Sequence, residues 1–116
     1  MDTEKRTKNI VTAEGPLVKN SEGVLFDEKF TPVQGKKYVL GRVDTGYTQK
    51  TQDGPKFVSN IIRFEAWGEA AEQLLLLKEQ DWVSLTGYLK VSAYIDKKTQ
   101  QPRVSQKVIA KTIQKV

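Results

Sequence analysis

The chain has 116 residues, no cysteine, no histidine and a formal net charge of +5. This length suits one domain with a single hydrophobic core. The absent residue types exclude disulfides, zinc-thiolate sites, thiol nucleophiles and the commonest general base, so most hydrolytic and redox chemistries are closed to this chain.

Basic side chains are concentrated in the last third of the sequence. From Trp82 to Val116 there are seven lysines and arginines and one aspartate. A basic stripe is the electrostatic footprint of a phosphate-backbone partner, although anionic membranes attract it too. No apolar run approaches the roughly 18 residues of a membrane span, and residues 1–6 lack the apolar segment of a secretory signal. We therefore expect a cytoplasmic protein that does not bind membranes.

The first third of the chain predicts little regular structure. Residues 1–8 are polar and charged and indicate a flexible N-terminal arm. Residues 10–18 predict an edge strand with a bend where Gly15 and Pro16 follow each other. Residues 20–37 contain glycine, proline and mostly polar side chains, which favours a loop with room for one short strand.

The middle of the chain predicts two strands with a hairpin loop between them. β-Branched and aromatic residues favour a strand at 37–45, and a turn signal of aspartate, glycine and proline favours a mobile hairpin loop at 47–56. Residues 57–67 then alternate between two sides, as a half-buried strand does. The side that we expect in the core comprises Val58, Asn60, Ile62, Phe64 and Ala66. The opposite side comprises Phe57, Ser59, Ile61, Arg63, Glu65 and Trp67.

The last third predicts one helix and two strands. Strong helix formers favour a helix at 68–79, and residues 82–94 alternate again. The expected core side of this strand comprises Val83, Leu85, Gly87, Leu89, Val91 and Ala93. The other side comprises Trp82, Ser84, Thr86, Tyr88, Lys90, Ser92 and Tyr94. A polar turn at 96–102 leads to a strand at 103–116, whose buried side stays undecided because isoleucines and lysines share one side.

Three strands, a helix and two strands follow one another in this prediction. All-β structure with one helix between the third and fourth of five strands is the arrangement of the OB-fold, a Greek-key barrel. We therefore expect residues 9–116 to form one OB-fold domain with aromatic and basic side chains on its outward strand faces. Such a surface suits a single-stranded nucleic acid, so we expect no enzyme activity, no cofactor and no metal site.

Two blocks of sequence make this expectation more specific. Residues 61–72 read IIRFEAWGEAAE and residues 83–90 read VSLTGYLK. With these blocks, the chain resembles the bacterial and phage type of single-stranded DNA-binding protein over about residues 9 to 113. The resemblance implies sequence-independent binding and protection of single-stranded DNA in replication, recombination or repair, by a homodimer or homotetramer.

The resemblance also assigns aromatic residues to a binding site. Trp67 falls where the family has a base-stacking aromatic at the end of the third strand, and Tyr94 falls near the tip of the fourth. Tyr47, at the end of the second strand, is a third candidate, and Tyr88 lies on the same strand face as Lys90. Every base has a π-face, so stacking tolerates any base and contributes roughly 1–3 kcal/mol for each one.

Basic residues complete the predicted site. The groove is expected to hold Arg63, Lys90, Arg103 and Lys107, and the hairpin between the last two strands to hold Lys97 and Lys98. These side chains hold phosphates by charge and release counterions, so affinity should fall with salt. Lysines outnumber arginines, which suits contact with the backbone better than readout of bases.

Several of these residues also have a purely structural interpretation. Trp67 is compatible with a buried position beneath the helix, Tyr88 and Tyr94 are compatible with ordinary strand tyrosines, and each lysine is compatible with a solvated surface. Packing or an interface explains Trp82 better than ligand contact does. One side of the second strand is either a groove wall or a dimer edge, and it holds Tyr38, Leu40 and Arg42.

Other functions stay open on the sequence. A primosomal or RNA-binding protein of the same fold would share the basic stripe, and a protein–protein adaptor would need no nucleic acid. A metal-dependent nuclease would need clustered carboxylates, of which Glu65, Glu69 and Glu72 are the nearest approach. The family commonly carries an acidic C-terminal tail that recruits other proteins. This sequence ends at Val116 without one, so we expect no such recruitment and favour a phage or another mobile element as its origin.

Overall fold

The computed structural model describes residues 7–31 and 35–116, which contain eight strands and one short helix. The elements are β1 (Val11–Pro16), β2 (Asp27–Phe30), β3 (Lys37–Asp44), β4 (Tyr47–Thr51), β5 (Gly54–Val58), β6 (Ile61–Trp67), α1 (Gly68–Leu75), β7 (Trp82–Ile95) and β8 (Pro102–Lys115). Six strands form one sheet in the order β1-β7-β8-β6-β3-β2, and β4 and β5 form a separate hairpin. The predicted N-terminal arm at 1–8 lies outside the described residues, except for its last two, which are exposed.

The six-stranded sheet contains one parallel contact. All its neighbouring strands are antiparallel except β6 and β8, which run parallel and pair only over residues 64–66 and 108–110. The chain just after β1 meets β3 at one bridge, between Leu17 and Val43. The sheet therefore curls toward a barrel without closing into a continuous one.

The prediction of five strands with a helix between the third and fourth is wrong in number and position. The described residues form eight strands, and α1 lies between the sixth and the seventh. Three short strands, β2, β4 and β5, account for the difference, and nearly all their residues are exposed. A strand that buries nothing leaves no apolar alternation in the sequence, so such segments are expected as loops. The predominance of strands and the single helix are confirmed.

The core lies between the curled sheet and α1. Phe64 and Ala66 of β6 and Val83 and Leu85 of β7 are buried, as the alternation predicts. The single strand predicted at 57–67 is divided between β5 and β6, and Asn60, expected in the core, is exposed between them. The helix is shorter than predicted, since it ends at Leu75. It covers the core with Ala70, Ala71 and Leu74.

The core side of β7 extends less far than its alternation predicts. Val91 and Ala93 are exposed, because here β7 and β8 pair only with each other and leave the rest of the sheet. We call this projecting part, residues 90–107, the long hairpin. The hairpin of β4 and β5 is called the short hairpin.

A bulge decides which side of β8 is buried. The pairing of β7 with β8 shifts between Thr86 and Gly87 and leaves Lys111 without a partner in the ladder. The extra residue changes the phase of the alternation, so both Ala110 and Ile113 point into the core. This change of phase explains why isoleucines and lysines share one side in the sequence pattern.

Gly87 is the residue that permits the bulge. A β-carbon built here would lie 1.7 Å from the carbonyl oxygen of Ile109. We expect Gly87→Ala to lower the free energy of unfolding by about 1–3 kcal/mol, because the backbone of β8 must move. Urea denaturation measures this loss, and the exposed neighbour Thr86→Ala should lose under about 0.5 kcal/mol. Similar losses in the two variants would contradict the expectation.

Candidate nucleic-acid interface

The side of the sheet that faces away from the core carries several of the predicted site residues. Residues directly opposite each other in paired strands point to the same side, so the strand register defines this surface, which we call the outer face. Its first row places Tyr38 opposite Trp67. The second row runs through Leu40, Glu65, Ile109 and Tyr88. The third row contains Arg42 opposite Arg63 and Lys107 opposite Lys90.

Trp67 is held on the outer face from two directions. The ring of Tyr38 stacks on its indole, with ring centroids 4.5 Å apart and ring planes at 20°. The indole Nε1–H donates a hydrogen bond to Glu65 Oε2 at 2.7 Å. The side chain is half-buried. Because Tyr38 covers one face of the indole, a planar ligand can stack only on the other.

A cleft of about 300 Å³ joins Trp67 to Tyr88. Lys90, Lys111 and Glu65 also line it, and we call it the aromatic cleft. Lys111 Nζ lies 5.5 Å from the centroid of the Tyr88 ring, within the range of a cation–π interaction. The structure thus brings three predicted site residues, Trp67, Tyr88 and Lys90, into one concave place with room for a small planar group.

A larger groove of about 980 Å³ opens where β6 and β8 stop pairing. Because these two strands are parallel, the short hairpin before β6 and the long hairpin project from the same end of the sheet. We call the opening the hairpin groove. Arg63 and Lys107 of the predicted site line it, together with Lys19 and Arg42.

The cations of the third row differ in how far they are neutralised. Arg42 pairs with an aspartate at 3.1 Å and Lys107 pairs with Glu65 at 3.0 Å. Arg63 and Lys90 form no ion pair with any described residue. Lys90 lies directly opposite Lys107, and like charges in that position destabilise a sheet unless an anion lies near them.

Four predicted residues lie on the part of the long hairpin beyond Lys90 and Lys107, away from the aromatic cleft. Tyr94 is 51% exposed and faces Arg103 across the two strands. Its position along β7 is roughly 20 Å from Tyr88. Lys97 and Lys98 are exposed in the turn, and Arg103 forms an ion pair with Asp96 at 3.5 Å. The structure therefore does not bring these four residues together with Trp67 and Tyr88.

The short hairpin carries Tyr47, which is 56% exposed, and Asp44 fastens its base to the sheet. Asp44 Oδ1 accepts hydrogen bonds from the backbone N–H groups of Gly46 at 2.9 Å and Asn60 at 3.0 Å. Asp44 Oδ2 accepts one from Ser59 Oγ at 2.9 Å. These hydrogen bonds, that of Asn60 first, hold the pKa of the Asp44 carboxyl below its ordinary value of 3.8, although desolvation opposes them.

Three residues of this surface are missing from the predicted site. Tyr38 stacks on Trp67, although the sequence leaves its side of the strand undecided. Lys111 enters the aromatic cleft because of the bulge, which no local pattern indicates. Glu65 holds both Trp67 and Lys107, and its place two residues before the tryptophan on an alternating strand was the available signal.

Neither a metal cluster nor a membrane span occurs in residues 7–31 and 35–116. No three His, Cys, Asp or Glu side chains of this part lie close enough together to hold a metal ion. No helix in the same ranges is long and apolar enough to cross a bilayer.

The fold of this chain matches those of solved single-stranded DNA-binding proteins. A small single-stranded DNA-binding protein from Streptomyces coelicolor aligns with a TM-score of 0.63 and 18% identity over 92% of this chain and 93% of its own. The single-stranded DNA-binding protein of Plasmodium falciparum, solved in complex with single-stranded DNA, aligns with a TM-score of 0.72 and 14% identity over 98% and 99%.

This chain spans only half of a third solved protein. A deletion mutant of the single-stranded DNA-binding protein from Thermus aquaticus aligns with a TM-score of 0.71 and 20% identity over 94% of this chain, which spans 50% of that protein. No family model and no curated protein matches the sequence. The structural likeness shows that this chain shares the fold of these proteins, and that fold is consistent with the predicted OB-fold.

We expect the order of the short hairpin to depend on pH through Asp44. Since its pKa is lowered in the folded hairpin, the carboxylate stabilises the hairpin fully above its ordinary pKa of 3.8. That contribution is lost as the pH falls through the lowered pKa. Amide NMR of Gly46 and Asn60 during an acid titration should report this loss. Asp44→Asn should remove the transition, and a variant that still showed it would refute the assignment to Asp44.

Proposed function

We propose that this chain binds single-stranded DNA without regard to base sequence and shields it during DNA replication, recombination or repair. The observation that carries the proposal is the aromatic cleft, in which Trp67 and Tyr88 meet the ammonium groups of Lys90 and Lys111. The Plasmodium falciparum protein of the same fold, solved with single-stranded DNA, supports it. Binding, without a catalytic step, is the activity that we propose.

Unpaired bases are the part of the ligand that fits the aromatic cleft. The bases of a duplex are already stacked on both sides, whereas an unpaired base has a free π-face. A base on the open face of Trp67 extends the stack that Tyr38 begins. Such a contact contributes roughly 1–3 kcal/mol and does not depend on which base is present.

The sugar-phosphate backbone is proposed to follow the cations of the outer face. Arg63 and Lys90 have no acidic partner among the described residues, so they are available to phosphates. From the hairpin groove, the strand would continue along the long hairpin past Arg103 to Tyr94. The turn of that hairpin adds Lys97 and Lys98, and the short hairpin adds Tyr47.

We further propose that the protein works in the cytoplasm as a homodimer or homotetramer. β1 and β2 are the edge strands of the six-stranded sheet, and unpaired backbone groups on an edge are available for pairing with a second copy. Light scattering at micromolar concentration measures the assembly, and a strict monomer would argue against it.

Replacing Trp67 tests the stacking contact. In a Trp82→Phe background Trp67 is the sole tryptophan, and we expect oligo-dT to quench its emission. Trp67→Ala should weaken binding, measured by anisotropy of a labelled oligonucleotide, by about 1–3 kcal/mol. Trp82→Ala is the matched control, because Trp82 is 53% exposed at the opposite end of β7 from the long hairpin. Equal affinity for the Trp67→Ala and wild-type proteins would rule out the cleft as the stacking site.

Salt dependence tests the phosphate contacts. Each phosphate neutralised on a single strand contributes about 0.7 to the slope of log affinity against log salt concentration. Lys90→Gln should lower the slope by that amount, and Lys115→Gln should not, because Lys115 lies near Asp81 at the end of β8.

Competition with RNA and duplex DNA identifies the ligand. Preference for duplex would overturn the proposal, and preference for RNA would favour a primosomal or RNA-binding role.

A further inference from the structure

Glu65, on the outer face, is the only described residue that is both buried and charged. It is 4% exposed and lies between Leu40 and Ile109 in the second row. A buried carboxylate is costly unless its oxygens are paired. Oε2 accepts a hydrogen bond from Trp67 Nε1 at 2.7 Å, and Oε1 accepts one from Lys107 Nζ at 3.0 Å. The carboxylate therefore connects the aromatic cleft with the hairpin groove.

The two charged members of this group differ in their freedom to move. The side chain of Glu65 is 6% exposed, whereas that of Lys107 is 45% exposed. A lysine with its ammonium group near water can turn on its flexible stem toward a phosphate. The carboxylate stays where the indole of Trp67 and its burial hold it. Glu65 is thus the fixed partner and Lys107 the exchangeable one.

We propose that Glu65 is a positioning residue that fixes the indole of Trp67 and limits the contribution of Lys107 to DNA binding. This inference rests on the proposed function. A phosphate that reaches Lys107 replaces an existing anionic partner, so fewer counterions are released than at an unpaired lysine such as Lys90. Glu65 consequently lowers the affinity of the outer face for single-stranded DNA and eases its release.

Substitution of Glu65 by glutamine separates its two roles. The amide oxygen can still accept the hydrogen bond of the Trp67 indole, but the charge that pairs with Lys107 is gone. In the Trp82→Phe background, Glu65→Gln should bind oligo-dT more tightly at low salt, with a slope steeper by about 0.7. Quenching of Trp67 should persist. Adding Lys107→Gln to this variant should return the slope to the wild-type value.

Glu28→Gln is the matched control. Glu28 also pairs with a lysine, Lys37, but it lies opposite the buried Val39 and therefore on the core side of the sheet. Glu28→Gln removes the same charge, but Lys37 does not belong to the outer face, so the slope should not change. An equal increase in both glutamine variants would indicate a general effect of net charge and would overturn the proposal.

A second comparison does not depend on the stability of the Glu65 variant. In the wild-type background, Lys107→Gln should leave the slope nearly unchanged, whereas Lys90→Gln lowers it by about 0.7. Equal losses would overturn the role of Glu65 and leave the proposed function intact. Failure of the wild-type protein to bind oligo-dT would instead remove the proposed function and this inference with it.

Discussion

The short parallel pairing of β6 with β8, residues 64–66 with 108–110, is the contact on which the arrangement of this protein depends. It joins strands that are far apart in the chain, and closing such a long loop costs conformational entropy. Burial of Phe64 and Val108 at the pairing offsets that cost. Because the strands run in the same direction, both hairpins project from one end of the sheet. An antiparallel contact would send them to opposite ends, and the hairpin groove would not exist.

The basic side chains of the outer face are only partly neutralised by acidic partners. A sheet that only meets water can place opposite charges across from each other, since such pairs stabilise it. This face instead sets Arg42 opposite Arg63 and Lys107 opposite Lys90, and acidic partners reach only one member of each pair. A surface that keeps unpaired cations beside open aromatic rings is suited to a flexible polyanion with exposed bases.

Fold and function rest on different observations in this protein. The likeness to solved single-stranded DNA-binding proteins concerns the course of the backbone, at 14–20% identity. One fold serves many activities, so function must be argued from the side chains of the site. Here those side chains are the stacked pair of Tyr38 and Trp67, the tyrosine across the cleft, and the lysines beside them. Their arrangement supports a ligand with planar groups and negative charge.

Much of this protein can be predicted from local sequence pattern. Alternation correctly identifies Phe64 and Ala66 of β6 and Val83 and Leu85 of β7 as core residues. It wrongly gives a core position to Asn60, which is exposed between β5 and β6, and an exposed one to Glu65, which is buried. The same pattern puts Trp67 and Tyr88 on the outward sides of their strands. Alternation is a property of each strand alone, so it reveals which side is apolar but not which strands become neighbours. The stack of Tyr38 on Trp67, the entry of Lys111 through a bulge and the neutralisation of Lys107 by Glu65 all depend on register between distant strands. That register is set by backbone hydrogen bonds and packing across the whole sheet, and only the tertiary structure decides it.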